Sequence, residues 1–105
     1  MNLEDEFKYL IGAYYGIRSM DNYELKEYIL KDIEIYIRNF IKENKILNFD
    51  YKKRAQKIDD EMPLITKLQD SLLLLPKINA PMELVLLVKK TIIQLKEEET
   101  KERNN

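Results

Sequence analysis

The sequence predicts an all-α protein, a single-domain antiparallel bundle of four to five helices with a long central second helix. Three observations carry this. Only two glycines and three prolines interrupt 105 residues, too few for a turn-rich β architecture. Apolar residues recur at helical spacing along most of the chain. The stretch from Asp21 to Asn44 contains neither glycine nor proline, so nothing obliges a helix there to break for about six turns.

A first helix is expected from Leu3 to Ile17 or Arg18, opened by Asn2 or by the acids Glu4, Asp5 and Glu6, whose charge suits a helix N-terminus. Leu3, Phe7, Leu10, Tyr14 and Ile17 share one face. Gly12 and Gly16 lie almost opposite, four residues apart, beside Tyr9. Two glycines weaken a helix by up to roughly 1 kcal/mol each relative to alanine. A second helix crossing closely over the bare patch, or an oligomer contact, would compensate; local flexibility near the helix end is the plainer alternative.

The second helix begins, on this reading, with a capping box in which Asp21 and Glu24 satisfy each other's orphan donors. Its apolar positions Leu25, Tyr28, Ile29, Ile33, Tyr36 and Phe40 form one stripe, which Leu30, Ile37 and Ile41 widen enough to predict neighbours on two sides. Glu27, Lys31, Glu34, Arg38 and Lys42 are expected in water. Asp32 falls by angle within the apolar arc, so it is a candidate buried carboxylate, with Arg18 or a tyrosine hydroxyl as partner.

Beyond Asn44, Ile46, Leu47 and Phe49 are suited to plug the end of the bundle, and Asn48 or Asp50 to cap the next helix. Tyr51, Ala55 and Ile58 give that short helix a thin apolar stripe. Asp59 or Asp60 would then cap a helix with Pro63 in its first turn and Leu64, Ile65, Leu68, Leu72 and Leu75 on its core face. One helix kinked near Pro63 is the alternative. Pro76 to Pro81 reads as a loop, with Asn79 capping the last helix. Leu84, Val85, Leu86, Leu87 and Val88 point in every direction, which predicts a central helix or one covered by a partner chain. The bundle domain is assigned to residues 1–96, and the charged stretch 97–105 is expected to fray.

Function is constrained mostly by what is missing. Without cysteine or histidine there is no thiol nucleophile, no thiolate site and no imidazole base or ligand. The acid clusters Glu4–Glu6 and Asp59–Glu61 lack the alternating spacing of a calcium loop. No phosphate loop, dinucleotide fingerprint or serine elbow occurs. The expectation is therefore a noncatalytic protein with no metal and no cofactor. No run of 18 apolar residues and no basic leader are present, so a cytoplasmic chain with no membrane span is expected.

Two binding surfaces are suggested. Tyr9, Gly12, Gly16, Leu30, Ile37 and Ile41 are candidates for contact with a protein partner or a second copy, because their apolar surface exceeds what a short monomer is expected to bury. Arg38, Lys42, Lys45, Lys52, Lys53, Arg54 and Lys57 face only Glu43 and Asp50 between residues 37 and 58. If the end of the second helix meets the start of the third, they form a positive patch beside Phe49 and Tyr51, able to rest on nucleic-acid phosphates. A net charge of -1 and few arginines favour the protein partner. The leading expectation is a protein-interaction or regulatory module, possible as a homodimer, and the alternative is a small nucleic-acid-binding or ribonucleoprotein accessory subunit.

Overall fold

Helix α1, Leu3–Arg18, is the element around which the chain packs. From Tyr9 to Ile17 no residue is exposed, and the helix touches α2, α3 and α4 on different sides. The computed structural model describes residues 2–21, 23–46 and 50–104. Within them lie five α-helices and no strand: α1, α2 (Lys26–Glu43), α3 (Tyr51–Glu61), α4 (Leu64–Leu74) and α5 (Met82–Asn104), with a 3-10 turn at Leu75–Ile78. The longest expected helix, α2, is not the centre; it buries one side only, through Ile29, Leu30, Ile33, Ile37 and Phe40.

Local chemistry accounts for most helix boundaries. The Asn2 side chain accepts from the Asp5 amide at 2.8 Å, with Glu4, Asp5 and Glu6 in the first turn. The expected capping box at Asp21 does not form, and α2 starts at Lys26 behind Leu25, which offers no side-chain cap. The intervening chain instead buries Met20 and lays Tyr23 against the core, and a turn closes from the Lys26 amide to the Tyr23 carbonyl at 3.1 Å. Burial of two large side chains outweighs one cap, worth about 1 kcal/mol.

The C-terminus of α2 closes in a Schellman motif. The Ile46 amide donates to the Ile41 carbonyl at 3.1 Å and the Lys45 amide to Lys42 at 3.2 Å, with Lys45 left-handed at φ 51°. The expected plug residues Leu47 and Phe49, and Asn48 as a cap, lie outside the described residues. Asp50 caps α3, accepting from the Lys53 amide at 3.2 Å.

Neither Asp59 nor Asp60 caps α4. Both stay inside α3, where Asp59 forms an ion pair with Lys67 of α4, and the break falls one turn later at Met62 and Pro63. Proline disfavours the helical conformation at the residue before it, and Met62 is extended, at ψ 126°. Two helices, rather than one kinked helix, result. Asn79 does not open α5; it ends the 3-10 turn in the left-handed region at φ 54°.

The α1–α4 contact is the tightest in the fold. Along α1 the neighbours run from Lys77 at Tyr9, through Asp70 at Gly12, to Lys67 at Gly16. A Cβ on Gly16 would lie 2.6 Å from the Lys67 carbonyl oxygen, and one on Gly12 would meet the Asp70 carboxylate and the Met62 sulfur. Gly16 therefore permits a backbone approach no other residue would, and Gly12 leaves room for the ends of two side chains.

Helix α5 is peripheral within the chain and not the central helix that is one of the two expectations. It packs chiefly on α4 through Leu84, Val88 and Ile92, leaving Met82, Leu86 and Ile93 more than half exposed on its far side. It continues as helix through the charged stretch to Asn104. Its 23 residues, about 34 Å of helix, help give the molecule a 49 Å long axis beside 28 and 23 Å.

Candidate functional site

A groove of about 340 Å³ opens where α1, α2 and α3 diverge. Helical spacing supplies each wall: Ile11, Tyr14 and Tyr15 from α1, Glu34, Ile37 and Arg38 from α2, and Tyr51, Lys52, Ala55 and Gln56 from α3. Its base is apolar, since Ile11, Ile37 and Ala55 are all buried in the core. Three half-buried tyrosines line the sides, and Arg38 and Lys52 stand exposed at the mouth.

The rings are held in place. Tyr14 and Tyr15 pack edge to face, with centroids 5.1 Å apart and planes at 86°. The Arg18 guanidinium lies 5.9 Å from the Tyr15 ring centre, a cation–π contact at the end of α1. The Tyr14 hydroxyl donates to Glu34 Oε1 at 3.2 Å. Burial pushes the Tyr14 phenol above its ordinary pKa, and the nearby Glu34 carboxylate adds to the shift. Tyr14 therefore stays a neutral donor, and Glu34, expected in water, is half-buried against it. On α3 the Gln56 amide donates to Asp60 at 2.9 Å.

The six residues expected to face a partner are used inside the chain. Tyr9 is buried, and Lys77 reaches over it, with Nζ 2.9 Å from the hydroxyl and 5.2 Å from the ring centre. Gly12 and Gly16 are filled by α4. Leu30 and Ile37 are buried and Ile41 packs half-buried against the core, so the chain itself covers that side of α2. The seven basic residues divide. Arg38 and Lys52 both line the groove, Arg54 pairs with Glu4 of α1, and Lys42, Lys45, Lys53 and Lys57 are exposed.

Asp32 is not the buried carboxylate. It is exposed, in the same outer stripe as Leu25, Tyr28 and Ile35, because the apolar arc of α2 extends beyond what its neighbours cover. Asp70 on α4 is partly buried instead, set against Gly12, and burial raises its pKa to about 6. Sequence spacing offered one hint, since Leu74, which is fully buried, follows Asp70 by one helical turn. The Tyr14–Glu34 pair had none, since its members are 20 residues apart on different helices.

Among the described residues no group of three acidic side chains is placed to hold a metal ion, and no helix is long and apolar enough to cross a membrane. The groove offers apolar depth, aromatic walls and two cations at its mouth, a combination suited to holding a ligand. No protein-family model, curated protein or solved structure matches the chain.

Proposed function

We propose that this chain is a noncatalytic interaction module of the cytoplasm, an antiparallel helical bundle built around α1 that covers a segment of a protein partner with the groove between α1, α2 and α3. The observation that carries this reading is the groove's lining, which joins an apolar base to Tyr14, Tyr15 and Tyr51 and to charges of both signs. Tyrosine and arginine around an apolar centre are what protein interfaces concentrate at their energetic core. The regulatory and homodimer parts of the reading gain no support from Gly12 and Gly16, whose contact is satisfied within the chain.

Affinity capture from the native cell with the intact chain, compared with Tyr15→Ser and Tyr51→Ser variants, tests it. Partners retained by the parent chain and lost from both variants support the groove. Capture that both variants leave unchanged, with helix content preserved, overturns it.

The alternative is nucleic-acid binding, favoured by the presence of Arg38, Lys52 and Tyr51 in the lining of one groove. Binding of a single-stranded oligonucleotide that weakens with salt and with Arg38→Gln and Lys52→Gln would support it. Glu34 in the same groove opposes it, since a carboxylate there repels phosphates.

A further inference from the structure

We infer that the occupant of the groove is an acidic peptide segment that inserts one large apolar side chain between the tyrosines and sets an adjoining carboxylate against Arg38 and Lys52. This rests on the protein-partner reading and adds the chemistry of the partner.

The size and lining set the anchor. A cavity of about 340 Å³ with Ile11, Ile37 and Ala55 at its base has room for one phenylalanine-sized or leucine-sized group, and such groups supply most of the affinity of small interfaces. The charge follows from how the three charged lining residues are engaged. Glu34 is half-buried and accepts the Tyr14 hydroxyl, so its charge is partly satisfied within the wall. Arg38 and Lys52 are exposed at the mouth, and Lys42 follows Arg38 one turn along α2. What the groove presents outward is therefore cationic, and its complement is a carboxylate beside the anchor. A polynucleotide would lay a phosphate chain past Glu34 as well, whereas a peptide places its charge only where its sequence does.

The test uses the intact, isotopically labelled chain, titrated by NMR with an acetylated and amidated hexapeptide bearing a central Phe-Asp-Glu triplet. Its controls are a Phe-to-Ala peptide, a peptide with both acids changed to lysine, and a single-stranded oligouridine. Saturable shifts at Ile11, Ile37 and Ala55 are expected with the acidic peptide, and at least tenfold weaker binding with the alanine and lysine peptides. The double variant Arg38→Glu with Lys52→Glu changes only exposed positions, so it should fold and should reverse the preference toward the lysine peptide. Equal binding of acidic and basic peptides, binding of the oligouridine alone, or no shifts at the groove would overturn the inference. If capture from cells still depends on Tyr15 and Tyr51 in that event, the protein-partner reading stands and only the acidic chemistry fails.

Discussion

Asp70 occupies the space that a side chain at position 12 would need, its carboxylate lying against the bare backbone of Gly12 where α4 crosses α1. One turn along, Gly16 faces backbone, the Lys67 carbonyl. The two glycines should therefore respond differently to alanine. At Gly16 the obstruction cannot rotate away, so Gly16→Ala should lose about 1–3 kcal/mol through overpacking, more than its gain in helix propensity. At Gly12 the obstructing atoms are the ends of Asp70 and Met62, which can shift, and the cost should be smaller. Urea denaturation of both variants measures this; Gly12→Ala as the more damaging change would contradict the packing described.

The same carboxylate makes a pH prediction. Among the described residues Asp70 has no hydrogen bond or ion pair, and burial raises its pKa from 3.8 in the unfolded chain to about 6 in the fold. The folded form thus binds the proton more tightly, so this group favours folding at acidic pH and its contribution falls as pH rises from about 4 to above 6. The penalty at neutral pH should be of order 1–3 kcal/mol, toward the low end because the group keeps some contact with water. Asp70→Asn should be more stable than the parent at pH 7, and the difference should shrink toward pH 4. Paired denaturation curves between pH 4 and 7 decide it.

The contrast between Asp32 and Asp70 shows where sequence reading succeeds and where it stops. Helix existence was legible because it follows from local spacing: α1 runs over the expected Leu3–Arg18 with its Asn2 cap, and α2 ends against Asn44. Which side of a helix meets a neighbour was not, because that depends on pairing between distant segments. Tyr28 and Asp32 lie on the outer side of the α2 stripe, and only the position of α1 makes that side wet. Gly12 and Gly16 allowed a close helix crossing, but local flexibility was the plainer reading of them, and their spacing cannot distinguish α4 of the same chain from a second copy. Of the groove, the presence of Arg38 and Lys52 on one surface was foreseen as a condition; the three tyrosines that share it lie on elements 36 residues apart and had no common signal.

The Tyr14–Glu34 hydrogen bond joins α1 to α2 across the wall of the groove. Tyr14→Phe should cost about 0.5–1.5 kcal/mol, the usual range for one such bond. Glu34→Gln should bring the Tyr14 phenol back toward its ordinary pKa, since it removes the charge that opposes ionisation while leaving an amide acceptor. Ultraviolet titration of the phenolate, using the difference between parent and Tyr14→Phe, reads that shift. An unchanged Tyr14 titration in Glu34→Gln would show that the two groups are not in contact.

Helix α5 makes a prediction from two adjacent residues. Ile92 is 7% exposed and faces α4, whereas Ile93 is 57% exposed on the far side. Ile92→Ala should lose about 2–4 kcal/mol by leaving a cavity. Ile93→Glu should change stability by less than about 0.5 kcal/mol, as surface substitutions do. Thermal or urea denaturation distinguishes them, and a large loss from Ile93→Glu would mean that the far face of α5 is covered in solution.

Lys45 supplies the last prediction, because it is both a member of the basic stretch and the left-handed residue that ends α2. At φ 51° its Cβ crowds the backbone, a conformation that costs a non-glycine residue about 1 kcal/mol and glycine almost nothing. The hydrogen bonds of the motif come from the backbone amides of Lys45 and Ile46, so they survive removal of the side chain. Lys45→Gly should therefore stabilise the fold by about 0.5–1 kcal/mol, reduced by the greater freedom glycine gives the unfolded chain. Lys45→Ala keeps the strained φ and should not stabilise. If the groove holds an acidic peptide through Arg38 and Lys52, neither variant should weaken that binding much, since Lys45 does not line it. A stabilised Lys45→Gly that binds the peptide as the parent does separates the role of this lysine in the helix terminus from any role in recognition, whereas destabilisation by glycine would mean that the left-handed geometry at the end of α2 does not persist in solution.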